Sequence, residues 1–481
     1  MSDRLDTLFV LLFSTVALLL SGPAALAACN DADADNCFIV RSSAADLAAA
    51  SVAHGLSLHK TIGPPGSQLA LVTGPGWQSP AETLAALRAD SKIRGAERVL
   101  PIRLDEISSN SLIDEIDPDP GTLQADGVYS GAEAAYFTAD LWQGFMNQPA
   151  AQIIRLPEVR ATGKREAFGI GVVAILDTGV DADHPVLEGA LVSGHDFILG
   201  EDSSSDEWSA LAPTAQVPTQ ENLQGSADQS FASILEGGGT TAVMSSSSQA
   251  IVDQSFASIL ESEPLPTAFG HGTMVAGLVR MVAPGVKIMP LRVFDGDGHA
   301  NSWDVIQAIY YATDHGATVI NMSFSIDDYS AELARAVNYA ESHGVVCVSS
   351  AGNSGRTAQS WPAAFGNVLG VASTDIEDNL SAFSNFGPHV VSLAAPGEGL
   401  VTTYPGGHYA LVWGTSFSAA LISGAVTLLN DEQADGSLLY IDAEAADEIF
   451  AASSVEILIN QHAGHGRMDV FAALGYGLEG Y

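Results

Sequence analysis

The sequence predicts an α/β fold, a parallel sheet with helices on both faces in a three-layer sandwich, preceded by a small α+β domain. Two observations carry this. From about residue 141, strand-like apolar runs (GVVAILD, VKIMPLRVF, ATVINMSF, GVVCVSSAG, NVLGVAST) alternate with helical segments such as SWDVIQAIYYATDHG and AELARAVNYAESHG, and that alternation builds a parallel sheet covered on both sides. Ahead of it, residues 29–104 mix short strands with two helical stretches.

Residues 1–28 read as an export signal: the apolar run Leu8–Leu20 ends at SGPAALAA, too short to span a bilayer comfortably and followed by the small residues a signal peptidase accepts. The same stretch supports a second reading, because Leu26-Ala27-Ala28-Cys29 also resembles a bacterial lipobox in which Cys29 is lipidated. Release or periplasmic and cell-surface residence follows from the first reading, lipid anchoring from the second. A third use of the thiol, pairing of Cys29 with Cys37 in an oxidising compartment, excludes lipidation. The remaining cysteine, Cys347, sits in the apolar run GVVCVSSAG and reads as a core thiol.

In residues 29–104, FIVRS is a strand, AADLAAASVAHG a helix, and LSLHKTI and SQLALVTGP two further strands; Ser79 ahead of Glu82 opens a second helix, and VLPIRLDE is expected to close the sheet. Residues 105–140 hold many acids, no Lys or Arg, and Pro118, Pro120 and Gly121, the composition of an exposed linker open to proteolysis. The block 141–481 is interrupted at about 201–266 by a Ser/Gly-rich stretch in which DQSFASILE occurs twice, at 228–236 and 253–261. Two copies are too few for a solenoid; a duplication within a surface insertion fits, since long loops cost little extra closure entropy.

The chain has 481 residues, 47% of them hydrophobic, and carries 18 Lys and Arg against 57 Asp and Glu, a net charge of -39. Such a field repels phosphate backbones and anionic lipid headgroups, so nucleic acid is excluded as a partner, and membrane contact is expected only through a lipidated Cys29. The acidity fits a solvated, soluble surface, with divalent-cation binding as the alternative.

Four motifs carry chemistry. In VVAILDTGVDADHPVL a buried strand delivers Asp177 at the carboxyl edge of the sheet, where ligands of such sheets bind. In FGHGTMVAGLV, His271 stands between two glycines at the start of a small-residue helix. In SSAGNSG a strand delivers Asn353 into a turn. In WGTSFSAALISGAVTLL, Ser416 begins a long apolar helix, whose unpaired N–H groups favour developing negative charge. Each has a plain alternative: a turn cap, a core histidine, a turn asparagine, an N-cap.

Taken in order, Asp, His, Asn and Ser, the motifs resemble those of subtilisin-like serine proteases (the subtilase, or peptidase S8, family), and the N-terminal block is similar to the inhibitor-I9-like propeptide of many members. PLRVFDGDG, VINMSFS and SAFSNFGPHVVSLAAPG extend the resemblance. It implies a secreted endopeptidase made as a self-processing zymogen, with a catalytic triad of Asp177, His271 and Ser416. Asn353 and the Ser416 N–H would form the oxyanion hole, with the Thr415 hydroxyl a lesser candidate. Substrate polypeptide would pair as an added strand near Ser323, Phe324, Ser325 and near Ser350, Ala351, Gly352, and the chain's own propeptide would act as intramolecular inhibitor and chaperone. No cofactor is expected for catalysis. Structural calcium is a family habit for which Asp295 and Asp297, or Asp375 and Asp378, offer carboxylates, without a ligand set being specified. The chain departs from the common pattern at Ala420-Leu421, where many members read Pro-His, and at Ser325, where many have Gly. His184 belongs to the first motif as a structural residue.

Overall fold

The computed structural model describes residues 29, 34–104, 145–163, 168–200, 268–357, 359–432, 438–457 and 463–475. The export segment, the acidic linker and the duplicated insertion therefore lie outside the described residues. Residue contacts divide the chain into two compact units: Met1–Pro101 with Asn301–Trp303 and Ser330–Glu332, and the remainder.

In the first unit the elements run β1 (Cys37–Ser42), α1 (Ala44–His54), β2 (Ser57–Ile62), β3 (Gln68–Thr73), α2 (Pro80–Ala89) and β4 (Gly95–Arg98). The strands form one sheet in the order β2-β3-β1-β4, with β1 antiparallel to β3 and β4 and β2 antiparallel to β3. The helices start where the sequence says they should. Ser43 accepts from the Asp46 N–H at the head of α1, and Ser79 and Glu82 cap α2 reciprocally. Phe38, Val40, Leu47, Leu56, Ala70, Val72 and Leu87 fill the core. Cys29 and Cys37 form a disulfide, so the thiol that anchoring would require is already bonded.

The expected fourth strand differs. VLPIRLDE does not close this sheet; Gly95–Arg98 does, and Pro101–Arg103 is a separate strand, β5. Pro101 has no N–H to give a ladder, which disfavours it inside a sheet.

The second unit is built on a seven-stranded sheet. Its strands are β6 (Val172–Asp177), β7 (His195–Asp196), β8 (Lys287–Arg292), β10 (Val319–Met322), β11 (Val346–Ser350), β12 (Val368–Thr374) and β13 (Leu393–Pro396), in the order β13-β12-β11-β10-β6-β8-β7. Every pairing is parallel. β10, β11, β12 and β13 are buried at every residue, as expected of strands covered on both faces. β9 (His299–Asn301) pairs with β5, and Leu400–Tyr404 and His408–Val412 form a hairpin.

Among the helices of this unit, His271–Val282 and Thr415–Leu428 matter most for the site. All fourteen residues of the second are buried, so it is a central helix enclosed on all sides, and Ala420 and Leu421 simply fill core space. The two helices touch at Gly424: a Cβ there would lie 2.8 Å from Val282 Cβ and 3.0 Å from the Val279 carbonyl oxygen. Among the described residues no helix is long and apolar enough to cross a membrane.

Candidate active site

β6 ends at Asp177, and its carboxylate meets His271 at the first position of the helix it opens. His271 Nδ1 lies 2.8 Å from Asp177 Oδ1 and 2.9 Å from Oδ2. Both are buried, Asp177 fully and His271 to 6% exposure. A carboxylate placed on Nδ1 fixes the ring's orientation and leaves Nε2 as the working nitrogen. The surroundings pin both partners. Thr178 N–H donates to Asp177 Oδ1 at 2.8 Å, and Gly272 N–H donates to the Thr178 hydroxyl at 3.2 Å. Thr273 accepts from Asp181 N–H at 2.9 Å, while Asp181 Oδ2 accepts from Gly406 N–H at 2.8 Å.

Ser416 is the second residue of its helix and is 5% exposed. Its neighbour Phe417 holds its ring 5.5 Å from the His271 ring, centroid to centroid, which brings the serine and histidine motifs together. Ser416 Oγ donates to the Ser323 carbonyl at 3.2 Å, and Ser323 Oγ donates to the Ser416 carbonyl at 3.2 Å. Asn321 stands behind them, donating to Ser323 Oγ and accepting from Ser423, each at 2.8 Å.

Asn353 is oriented from one side. Its Oδ1 accepts from Thr415 N–H at 2.9 Å and from the Thr415 hydroxyl at 2.8 Å. The Thr415 hydroxyl also accepts from Gly352 N–H at 3.2 Å. A hydroxyl has a single proton, and this one is directed at Asn353 Oδ1. With Oδ1 engaged, Nδ2 faces Gly414, 3.5 Å from where a Cβ would stand. Gly414 has φ 149°, which side chains disfavour, and its bareness keeps the space beside Nδ2 open.

The two expected substrate segments behave differently. At Ser323–Ser325, Phe324 turns its ring inward, 5.4 Å from the Phe294 ring, while Ser325 forms an antiparallel bridge with Arg103. Ser350 is buried, and the Ala351 and Gly352 backbone is engaged within the fold. Ala351 N–H donates to Val371, Gly352 accepts from Asn385 N–H, and the Ala351 carbonyl accepts from Asn385 Nδ2. Asn385 Oδ1 further accepts from Ser354 and Arg356 N–H, both at 3.2 Å. Asn385 thus holds the whole turn that presents Asn353. The SNFG run carries no local sign of this role, because the contacts reach residues about thirty positions earlier in the chain.

His184 is fully buried, accepts from Val186 N–H at 3.2 Å and stands edge-on to Tyr409 at 5.4 Å, a structural placement. The carboxylates of the acidic turns make local contacts. Asp295 Oδ1 accepts from Asp297 and His299 N–H, Asp375 Oδ1 from Glu377 and Asn379 N–H, and Asp378 pairs with Arg467. Among the described residues no three His, Cys, Asp or Glu side chains gather as a metal site.

The sequence signature of the subtilase family matches residues 171–477. The chain belongs to the subtilase family. Thermitase from Thermoactinomyces vulgaris is 32% identical over 315 residues, covering 63% of this chain and 88% of that protein. A thermophilic serine proteinase from Bacillus sp. (strain AK1) is 32% identical over 257 residues, 53% of this chain and 51% of its own. Fervidolysin from Fervidobacterium pennivorans, a keratinolytic enzyme related to subtilisin, shares the fold with a TM-score of 0.60 at 21% identity, covering 91% of this chain and 60% of that one. The chain thus spans little more than half the length of the last two. As a subtilase it is a serine endopeptidase, and its substrates are polypeptides.

Proposed function

We propose that this subtilase is an exported endopeptidase, made as a self-processing zymogen, in which Asp177, His271 and Ser416 form the catalytic triad. The observation that carries the assignment is the two-oxygen contact of Asp177 on His271 Nδ1, at 2.8 and 2.9 Å, beside the helix that bears Ser416. Ser416 Oγ attacks the peptide carbonyl and His271 takes its proton, then gives it to the leaving amine. Asp177 keeps Nδ1–H directed inward and stabilises the imidazolium. The developing oxyanion is met by Asn353 Nδ2 and the Ser416 N–H at the helix terminus. These steps draw on side-chain and backbone groups of the chain alone; calcium, if bound, would be structural.

Export rests on residues 1–28, and the Cys29–Cys37 disulfide favours release over lipid anchoring. The zymogen reading is supported by the separate N-terminal unit and by the acidic stretch 105–140 that follows it, with that unit as intramolecular inhibitor and chaperone.

The test compares wild type with Ser416→Ala for casein hydrolysis and for labelling by a serine-directed fluorophosphonate. Wild type should cleave and label, and the variant should do neither. Equal casein hydrolysis by both would sink the triad assignment, and a folded, unlabelled, inert wild type would point to a scaffold that keeps only the protease fold.

A further inference from the structure

Two stretches of chain leave Ser416 and are joined again by a third. The first is the extended run that follows β10, whose Ser323 carbonyl accepts from Ser416 Oγ at 3.2 Å. Three residues on, Ile326 exchanges both backbone hydrogen bonds with Trp361, at 2.8 and 2.9 Å. The second is the turn that presents Asn353. Its Gly352 N–H donates to the hydroxyl of Thr415, the neighbour of Ser416, at 3.2 Å, and its Ala351 shares a buried cluster with Ala363. Trp361 and Ala363 belong to one short segment, residues 360–363. That segment is therefore the floor of a space walled by the two stretches, with Ser416 at its mouth.

Ser360 begins the floor. It is 2% exposed, and among the described residues its Oγ has no hydrogen-bond partner. The backbone pairing decides its direction. Ile326 and Trp361 are directly opposed in antiparallel sense, so their side chains share one face. On that face Trp361 meets the Tyr329 ring at 5.1 Å and the Phe365 ring at 4.6 Å. Side chains alternate along extended backbone, which sets Ser360 and Ser325 on the opposite face. Ser323, two residues before Ser325, shares that face and holds the Ser416 carbonyl through its Oγ. The floor hydroxyl is thus turned to the side on which Ser416 stands. Asp327 and Arg356, exposed at the outer ends of the two walls, pair with each other at 3.0 and 3.2 Å and so offset one another's charge.

We propose that Ser360 is a specificity-determining residue, whose hydroxyl receives the tip of the substrate side chain just before the broken bond. The side chains it favours are neutral ones that end in a hydrogen-bonding group, tyrosine or glutamine, over phenylalanine or methionine. This assignment rests on the protease reading above, because the acyl carbon bound to Ser416 is what fixes which side chain enters the space. A buried hydroxyl without a partner is costly and rare in a native fold, and here the substrate supplies the missing bond. A hydroxyl both donates and accepts, so it suits a phenol and a carboxamide alike. An apolar side chain of the same shape would leave it unpaired, which is how a polar site discriminates against the analogue that lacks the polar atom.

The experiment uses peptide p-nitroanilides that differ only in the last residue, Tyr against Phe and Gln against Met, with wild type, Ser360→Ala and Ser360→Asp. Wild type should favour the polar member of a pair by about tenfold in kcat/KM, the value of one hydrogen bond. Ser360→Ala should lose that preference while hydrolysing the Phe and Met substrates as wild type does. Ser360→Asp puts a carboxylate on the floor and should raise cleavage after Lys, relative to Phe, by about tenfold or more, a gain that damage to the fold cannot imitate. If wild type cleaves and neither pair shows a preference that Ser360→Ala removes, the assignment is overturned and the protease reading survives. An equal loss on all four substrates in Ser360→Ala would show a structural role and overturn it as well. So would a Ser360→Asp variant that takes a fluorophosphonate yet gains nothing on Lys. A wild type that hydrolyses none of the substrates and takes no label overturns both readings.

Discussion

Thr415 grips Asn353 by a single oxygen, its N–H at 2.9 Å and its hydroxyl at 2.8 Å both meeting Oδ1. The amide is thereby turned so that Nδ2 looks towards the space beside Gly414. Replacing Asn353 by Leu should lower kcat by about 10²–10³-fold with KM little changed, a magnitude known from subtilisin itself. Thr415→Val removes one of the two orienting bonds and should cost about tenfold in kcat, the value of an ordinary hydrogen bond of about 1–1.5 kcal/mol. The double variant should be no slower than Asn353→Leu, because the threonine acts through the asparagine. Losses that multiply would show that Thr415 acts on something else.

Asp177→Asn keeps the shape but cannot hold Nδ1–H through an anionic oxygen. A loss of about 10⁴-fold in kcat is expected, the effect of the wrong imidazole tautomer in a Ser-His-Asp site, together with a parallel fall in fluorophosphonate labelling. A loss under tenfold would mean that His271 is positioned by other groups.

Burial raises the Glu398 carboxyl above its ordinary range; Asp375 adds to the rise and a hydrogen bond from Ser381 opposes it. With the folded value above the unfolded one, the folded state binds the proton more tightly. Stability from this group is complete below the unfolded value, near ~4.3, and is lost as pH rises through the folded value. Glu398→Gln should therefore stabilise the protein at neutral pH, with the gain shrinking to nothing in acid. Urea midpoints across pH in the Ser416→Ala background would read this, and a gain independent of pH would contradict it.

The chain has three cysteines, and their accessibility is a further check. Cys347 is buried and its thiol is pushed up to about 12 by desolvation, so it should resist alkylation in the native state. Full-length Ser416→Ala should show no reactive thiol when native, one when unfolded, and three when unfolded and reduced. Two after reduction, with added mass, would reveal a lipidated Cys29.

Much of the second unit could be read from the sequence because its strands are buried on both faces, so Val, Ile and Ala runs such as VVAILD and VCVSS announce themselves. The motif residues were legible for a related reason: Asp177, His271 and Ser416 each stand at the end of a strand or the start of a helix. Long-range relations were not legible. Nothing local marks Asn385 as the holder of the Asn353 turn, or Gly424 as the point where the two helices meet. The fourth strand of the N-terminal sheet is not legible because VLPIRL is the more apolar run and GAER is only half-buried. Pairing partners decide a strand's sheet, and composition does not contain them.

A peptidase in solution is surrounded by copies of itself, and its lifetime depends on how rarely it exposes backbone to them. Arg467 bears on this. Its guanidinium donates to the Asp378 carboxylate at 2.6 Å and to the Ile153 carbonyl at 2.8 Å, while its backbone bridges Ala394 and Val455. Arg155 answers from the other end by pairing with Asp469 at 3.1 Å. Early and late stretches of the unit therefore have to come loose together, which makes fraying a cooperative and infrequent event. Since attack on a folded chain proceeds through such openings when reclosing outpaces cleavage, Arg467→Ala is expected to shorten the survival of the enzyme among its own copies.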